Sequence, residues 1–195
     1  MTLLDTPEGA TPLTQDDLNG LLPYLTTREE LDSFEQLNIT EAVQWAFRSR
    51  TLKKDLLEPH NLQLLHQKMF KNTWKWAGTF RKTQTNIGVE SPIIAVELKK
   101  LCHDVKWWLE HTTYPLVEIA VRLHHRLVWV HPFPNGNGRH ARLSADLLLH
   151  FHGGQKLTWG GKHLIRESDL RREYLASLRE ADNRSYERLI RFAQI

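Results

Sequence analysis

The chain contains a single cysteine, Cys102, so no disulfide can form within it. A lone cysteine favours a reducing compartment, and we expect the protein to be cytoplasmic. No apolar run approaches the roughly 20 residues that a membrane-spanning helix needs, which argues against a membrane protein. The first residues include Asp5 and Glu8 and have no apolar core, unlike a signal peptide. Repeats and low-complexity tracts are also missing. These absences leave a globular protein of ordinary composition.

The sequence has almost no excess of charge of either sign. It contains 26 lysines and arginines and 23 acidic residues, which gives a formal net charge of +3. So mild a cationic bias is compatible with a nucleotide ligand but gives no support for a nucleic-acid partner, and no direct nucleic-acid binding is expected. No metal-ligand spacing such as His-Glu-x-x-His occurs. A chain of 195 residues that is 41% hydrophobic can form one domain with a proper core.

The spacing of apolar residues predicts a mainly α fold. Residues 1–25 are rich in Pro, Gly, Thr and Asp, and they predict an extended arm with turns, followed by one domain over 26–195. The stretch Thr26-Thr27-Arg28-Glu29-Glu30 is a helix-start signal, because it offers a threonine cap with a Glu three positions later. Apolar periodicity then predicts helices over about 28–47, 55–70, 96–112, 115–130, 137–151, 168–181 and 185–194. Residues 79–89 predict one short β-hairpin, closed by Asn86-Ile87-Gly88.

The densest group of chemically useful residues is the stretch His131-Pro-Phe-Pro-Asn-Gly-Asn-Gly-Arg-His-Ala-Arg142. Its central backbone N–H groups can form a concavity that binds an anion where a helix begins. Arg139 and Arg142 are three positions apart, so both guanidinium groups can reach one polyphosphate from the same helix face. We therefore predict a phosphate site that consists of Gly136, Asn137, Gly138, Arg139 and Arg142.

His131 stands just before this loop and is a candidate general base, because imidazole titrates near neutrality. The alternative is a structural histidine at a helix end. Asn137 is either a simple helix cap or an amide that donates to an oxyanion. The two arginines could also be solvated helix residues.

A competing motif overlaps this stretch. Gly136-Asn-Gly138-Arg-His-Ala141 matches the dinucleotide-binding fingerprint. That fingerprint requires a preceding strand within alternating strands and helices, whereas the segment before this one has a helical period. The dinucleotide interpretation is therefore disfavoured.

The stretch resembles the Fic-domain signature, His-x-Phe-x-Asp/Glu-Gly-Asn-Gly-Arg-x-x-Arg. One position departs from it, since Asn135 stands where the signature has an acid. The wider chain resembles the mobile mystery protein B branch of the Fic/Doc superfamily, from its opening Leu-Asp-x-Pro-x-Gly-Ala-Thr-Pro-Leu to its closing Leu-Arg-x-Ala-Asp. The signature positions that match are His131, Phe133, Gly136, Asn137, Gly138, Arg139 and Arg142.

The resemblance implies a helical bundle with a β-hairpin flap. It also implies an enzyme that moves AMP, or another nucleoside monophosphate, from ATP or another nucleoside triphosphate to a Tyr, Thr or Ser hydroxyl of a target protein. His131 would be the base, and Asn137 and Arg139 would stabilise charge on the phosphates. Phosphoryl transfer, as in a phage-toxin branch of the superfamily, and a catalytically weak nucleotide-binding regulatory module are the alternatives.

The resemblance has three further implications. The acidic position helps to hold Mg²⁺ on the nucleotide, and here Asn135 offers only a neutral oxygen. Many Fic proteins are inhibited by a helix glutamate that pairs with the last signature arginine, and Glu35 and Glu30 are the candidates. A companion protein with a helix-turn-helix region, as in a toxin–antitoxin pair, is also implied. The flap that docks the target would include Thr79, Phe80, Arg81, Lys82 and Thr83.

Overall fold

The structure is a computed structural model that describes Leu3, residues 11–161 and residues 169–195. The mainly α fold is confirmed. No helix in these ranges is long and apolar enough to cross a membrane. In chain order the helices are α1 (Gln15–Leu18), α2 (Arg28–Arg48), α3 (Arg50–Asp55), α4 (Pro59–Phe70), α5 (Ile94–Glu110, after a 3₁₀ turn at Ser91–Ile93), α6 (Leu116–Val130), α7 (Asn137–Phe151), α8 (Asp169–Asp182) and α9 (Glu187–Ala193).

The predicted helix over 55–70 was wrong at its start. The structure has two helices there, because α3 ends at Asp55 and α4 begins at Pro59. Proline has no N–H to donate and is favoured in the first turn of a helix, so it starts α4 and cannot continue α3. The predicted helix start within residues 26–30 is confirmed, and the capping threonine is Thr27, whose side chain accepts from the Glu30 N–H while Glu30 caps in return.

The core lies where α6 packs along α7, with α2 and α4 on one side and α5, α8 and α9 around the rest. The predicted apolar face of α6 is buried at Leu123, Leu127 and Val130. From α4, Leu62 and Leu65 are also fully enclosed. This packing fixes the junction between α6 and α7, which carries the signature stretch.

The predicted β-hairpin over 79–89 was wrong, because this segment forms no strand. The side chain of Arg81 takes the place of a ladder of backbone hydrogen bonds. Its guanidinium donates to the carbonyl of Thr83 at 3.0 Å and to that of Val89 across the loop. One buried side chain therefore closes the loop, and Gly88 completes it with a φ of 105° that favours glycine.

The N-terminal arm is docked on the helical body rather than freely extended. It includes the short helix α1, which a capping box of Thr14 and Asp17 begins. Its backbone pairs antiparallel with the segment after α4, where the Leu22 N–H donates to Thr73 at 2.9 Å. Leu13 is only 6% exposed and joins the core. The prediction for residues 1–10 falls, apart from Leu3, outside the described residues.

Candidate active site

His131 ends α6 in a left-handed backbone conformation, with φ 51° and ψ 59°. Its Nδ1 lies 3.3 Å from the carbonyl oxygen of Val128. Because a carbonyl can only accept, Nδ1 carries the proton and Nε2 keeps its lone pair. Burial lowers the pKa of His131 to about 4, with a smaller contribution from the positive charge of Arg81. The ring is therefore neutral at physiological pH, in the form that a general base needs.

Arg81 holds the backbone of His131 in place. The Nε of Arg81 donates to the His131 carbonyl at 2.7 Å, and the backbone N–H of Arg81 donates to the Pro132 carbonyl at 2.9 Å. Gly88 packs against the same residue, since a Cβ at Gly88 would lie 2.6 Å from the Cβ of His131. Arg81 was predicted only as a flap residue, so its contact with His131 was missed. No local pattern marks it, because its partner lies 50 residues further along the chain.

Asn137 closes the loop that follows His131. Its Oδ1 accepts from the Phe133 N–H at 2.9 Å, and its Nδ2 donates to the Phe133 carbonyl at 2.7 Å. The side chain is buried and bonded to Phe133, and it caps no N–H of α7, whose N-cap is Gly136, so the interpretation of Asn137 as a helix cap was wrong. In this arrangement Asn137 shapes the phosphate loop, and its backbone N–H opens the first turn of α7.

The His66 side chain contacts the loop that follows His131, and it was not predicted as a residue of the site. Its Nδ1 accepts from the Gly78 N–H at 2.9 Å, so its Nε2 carries the proton and donates to the Asn135 carbonyl at 3.1 Å. Burial lowers the pKa of His66 well below its usual value, which keeps the ring neutral. Beside this contact Gly136 has a φ of 77°, and a Cβ there would lie 2.5 Å from the ring of Phe70. Only glycine fits at this position.

The first turn of α7 is the candidate phosphate site. By position, its N–H groups have no acceptor within the helix, and the helix dipole adds partial positive charge there. A Cβ at Gly138 would make ordinary contacts, 3.8 Å from an Arg142 nitrogen and 3.9 Å from the Tyr174 hydroxyl. Arg142 lies 5.8 Å from the centre of the Tyr174 ring. The predicted glycine, arginine and N–H groups are thus brought to one end of one helix.

The two signature arginines have different neighbours. Arg139 forms an ion pair with Glu35 of α2, with 2.5 Å between Nη1 and Oε2. Glu35 is only 2% exposed and also accepts from the Trp74 indole N–H at 2.6 Å. Of the two predicted inhibitory candidates, Glu35 therefore reaches the site. It meets the first signature arginine instead of the last, because its position on α2 faces Arg139.

The prediction of Glu30 as an inhibitory residue was wrong. Its carboxylate accepts from the backbone N–H groups of Thr26 at 2.8 Å and Thr27 at 3.0 Å. These hydrogen bonds stabilise the start of α2 and lower the pKa of Glu30. The side chain is a helix cap.

Asn135 was predicted as a weak metal position. Its Oδ1 accepts from the Gly136 N–H at 2.7 Å, and its Nδ2 donates to the carbonyl of Thr11 at 3.3 Å. A neutral oxygen that is already hydrogen-bonded is a poor ligand for Mg²⁺, which prefers carboxylates and phosphates. The side chains at this position do not by themselves fit a bound metal ion.

A cavity of about 430 Å³ lies between the N-terminal arm and the flap segment. It brings together all five predicted flap residues and residues of the arm. Its walls include Thr11, Pro12, Trp76, Thr79, Phe80, Arg81, Lys82, Thr83 and Pro134.

Residues 56–149 match the model of the Fic/DOC family. Protein adenylyltransferase fic-1 of Caenorhabditis elegans is 36% identical over 109 residues, which cover 54% of this chain and 20% of that relative. Protein adenylyltransferase Fic of Nematostella vectensis is 27% identical over 167 residues, covering 83% of this chain and 37% of the relative. The chain thus spans well under half the length of these relatives.

The fold is similar to that of a solved segment of Fic-1 from Caenorhabditis elegans. The TM-score is 0.63 at 26% identity, and the match covers 82% of this chain and 48% of that one. The BepC effector of Bartonella tribocorum, solved with bound AMPPNP, has a TM-score of 0.65 at 18% identity and covers 100% of this chain and 96% of its own. At that identity the likeness shows the fold alone.

Replacing Arg81 with lysine should release His131 from its buried position. Lysine keeps the charge but cannot bond the three carbonyls that the guanidinium reaches. We expect the pKa of His131 to rise from about 4 toward its usual value, because burial is the main cause of the lowering. An NMR titration of the imidazole measures it. Lys82→Ala, on the neighbouring exposed side chain, is the control, and identical titrations of wild type and Arg81→Lys would contradict the assignment.

Proposed function

The chain carries a domain of the Fic/DOC family, and from this we propose that it transfers AMP from ATP to a hydroxyl of a target protein. The relatives named protein adenylyltransferase support the reaction type. The observation that carries the proposal is the geometry at His131. A neutral imidazole, whose unprotonated Nε2 accepts from the Thr11 hydroxyl, stands just before a helix N-terminus that carries two arginines.

In the proposed reaction His131 Nε2 takes the proton of the acceptor hydroxyl. The hydroxyl oxygen attacks the α-phosphorus, and pyrophosphate leaves. The first-turn N–H groups of α7 with Arg139 and Arg142 neutralise the charge that develops on the phosphates. Asn137 acts by holding the loop, since its side chain is bonded to Phe133. Arg81 positions His131 through the backbone.

The target segment would enter the cavity between the arm and the flap segment, where Thr79 to Thr83 form one wall. Backbone groups exposed along such a loop can pair with an extended peptide and place its hydroxyl without reading much of its sequence. Mg²⁺ would come with the nucleotide and be held by its phosphates. It would neutralise phosphate charge there, and Asn135 adds no charge to that site.

Replacement of His131 with alanine should abolish transfer and leave nucleotide affinity within a few-fold, because the base acts on the acceptor and not on the donor. The assay incubates the protein with a cell lysate and ATP labelled at either the α- or the γ-phosphate. Label from the α-position alone identifies AMP transfer, and label from the γ-position alone identifies phosphoryl transfer. His60→Ala, at an exposed histidine of α4, is the control. Unchanged labelling by His131→Ala would refute the proposal.

Glu35 is proposed as an intrinsic inhibitor of the same site, because it neutralises Arg139 and holds it against α2. Glu35→Gln keeps an oxygen for the Trp74 indole but removes the charge. We expect several-fold tighter nucleotide binding, measured by calorimetry, and faster labelling. Glu41→Gln, on an exposed position of the same helix, should change neither. Weaker binding by Glu35→Gln would show that Glu35 only positions Arg139.

We further propose that the protein acts in the cytoplasm as a toxin and that a companion protein controls it. An AMP transferase that uses common hydroxyl groups as acceptors would harm its host unless it is controlled. The companion would carry a helix-turn-helix region. Expression of this chain alone should then slow growth, whereas the His131→Ala variant and co-expression with the companion should restore it. Equal growth with wild type and His131→Ala would contradict a toxic activity.

A further inference from the structure

The hydroxyl of Thr11 lies at the catalytic histidine. Thr11 Oγ1 is 2.8 Å from His131 Nε2. Since Nδ1 of the ring carries its proton toward Val128, Nε2 can only accept, and the hydrogen bond runs from the threonine hydroxyl to the imidazole. This is the contact that a general base makes with the hydroxyl that it activates.

The position of Thr11 is fixed by its own carbonyl and by the residues that follow it. Its carbonyl accepts from Asn135 Nδ2 at 3.3 Å. Two residues later Leu13 is buried in the core, and the backbone pairing at Leu21 and Trp74 fixes the rest of the arm. The segment around Thr11 is therefore held against the site by packing and hydrogen bonds.

Asn135 links this placement to the one departure from the family signature. An amide donates from Nδ2 and accepts at Oδ1, so Asn135 can serve Thr11 and Gly136 at once. An ionised carboxylate accepts only, and at this position it would face the Thr11 carbonyl with like partial charge. Asn135, which is a poor ligand for Mg²⁺, can therefore hold the N-terminal arm by a hydrogen bond.

Thr11 also lines the cavity in which a target segment would bind. The chain thus presents one of its own hydroxyl groups at the acceptor position, from the acceptor side of His131. Arg139 and Arg142, which would bind the phosphates, lie beyond the loop on α7.

We propose that Thr11 is an acceptor for the chain's own transfer reaction, in an intramolecular step that rests on the proposed function. His131 Nε2 takes the Thr11 hydroxyl proton, and Thr11 Oγ1 forms a bond to the α-phosphorus of ATP. The bond from that phosphorus to the bridging oxygen breaks, and pyrophosphate leaves. The product is an AMP phosphodiester on Thr11.

The test incubates the purified full chain with α-labelled ATP and maps the modified peptide by mass spectrometry. We expect AMP on Thr11, at a first-order rate that does not change over a hundred-fold range of protein concentration. Thr11→Val, which keeps the shape and removes the hydroxyl, should lose the label from this peptide, and Thr11→Ser should keep it. Thr113→Val, at an exposed threonine between α5 and α6 and outside the site, is the matched control and should label Thr11 normally.

A lysate added to the same reaction separates this inference from the proposed function. Lysate proteins that are labelled by both wild type and Thr11→Val, with no AMP on Thr11, would overturn the inference and leave the function standing. A rate that rises with protein concentration would overturn the intramolecular step. Label neither on Thr11 nor on any lysate protein would refute both.

Asn135→Asp gives a second readout, because it removes the donor that holds Thr11. The fraction of AMP on Thr11 relative to lysate proteins should fall several-fold in this variant. An unchanged ratio would show that Asn135 does not hold the segment in solution, and it would count against the proposed placement.

Discussion

The site depends on the left-handed turn at His131. A residue with a Cβ in this conformation costs on the order of 1–3 kcal/mol, and surrounding contacts must hold it there. Here they come from separate parts of the chain. Arg81 bonds the carbonyl of His131, Gly88 leaves room for its Cβ, and the Asn137 clamp on Phe133 fixes the chain that follows. The turn ends α6 and directs the chain into α7, so it places the imidazole and the loop of residues 132–136 relative to each other.

The same contacts bury the ring, and burial has a chemical consequence. A histidine with a pKa of about 4 is neutral throughout the physiological range, but it is also a weak base. A bound polyphosphate would raise that pKa, because nearby negative charge stabilises the imidazolium. In the proposed mechanism the base therefore gains strength when the donor is present. A histidine tuned in this way would be a poor base in the absence of nucleotide.

The sequence predicted those parts of the site that are contiguous along the chain. The period of α6, the start of α7 at Asn137 and the order of glycine and arginine residues all follow from local rules of spacing and capping. Arg81, His66 and Gly88 were missed or misassigned, because their roles arise from contacts with residues far along the chain. The hairpin was predicted from its closing glycine, but a side chain rather than a strand ladder satisfies its carbonyls. Pro59 marks the start of α4, whereas apolar periodicity alone predicted a helix that starts at residue 55.

Both sides of the site are in contact with groups of the chain itself. Glu35 pairs with Arg139 on the proposed donor side, and Thr11 bonds His131 on the proposed acceptor side. These contacts differ in what can displace them. In the proposed function a nucleotide would compete with Glu35 by charge, since a polyphosphate would bring more negative charge to Arg139 than one carboxylate does.

A protein target, by contrast, would compete with a segment that is tethered to the site. A short tether gives an effective concentration in the millimolar range. A protein target that occupies the site less strongly than the tethered segment does would leave Thr11 hydrogen-bonded to His131. The arm would therefore act as a threshold, so that only targets with substantial affinity for the cavity reach His131. In this view the acceptor specificity of the proposed enzyme is set in part by its own N-terminal segment, and the sequence of that segment matters as much as that of the signature.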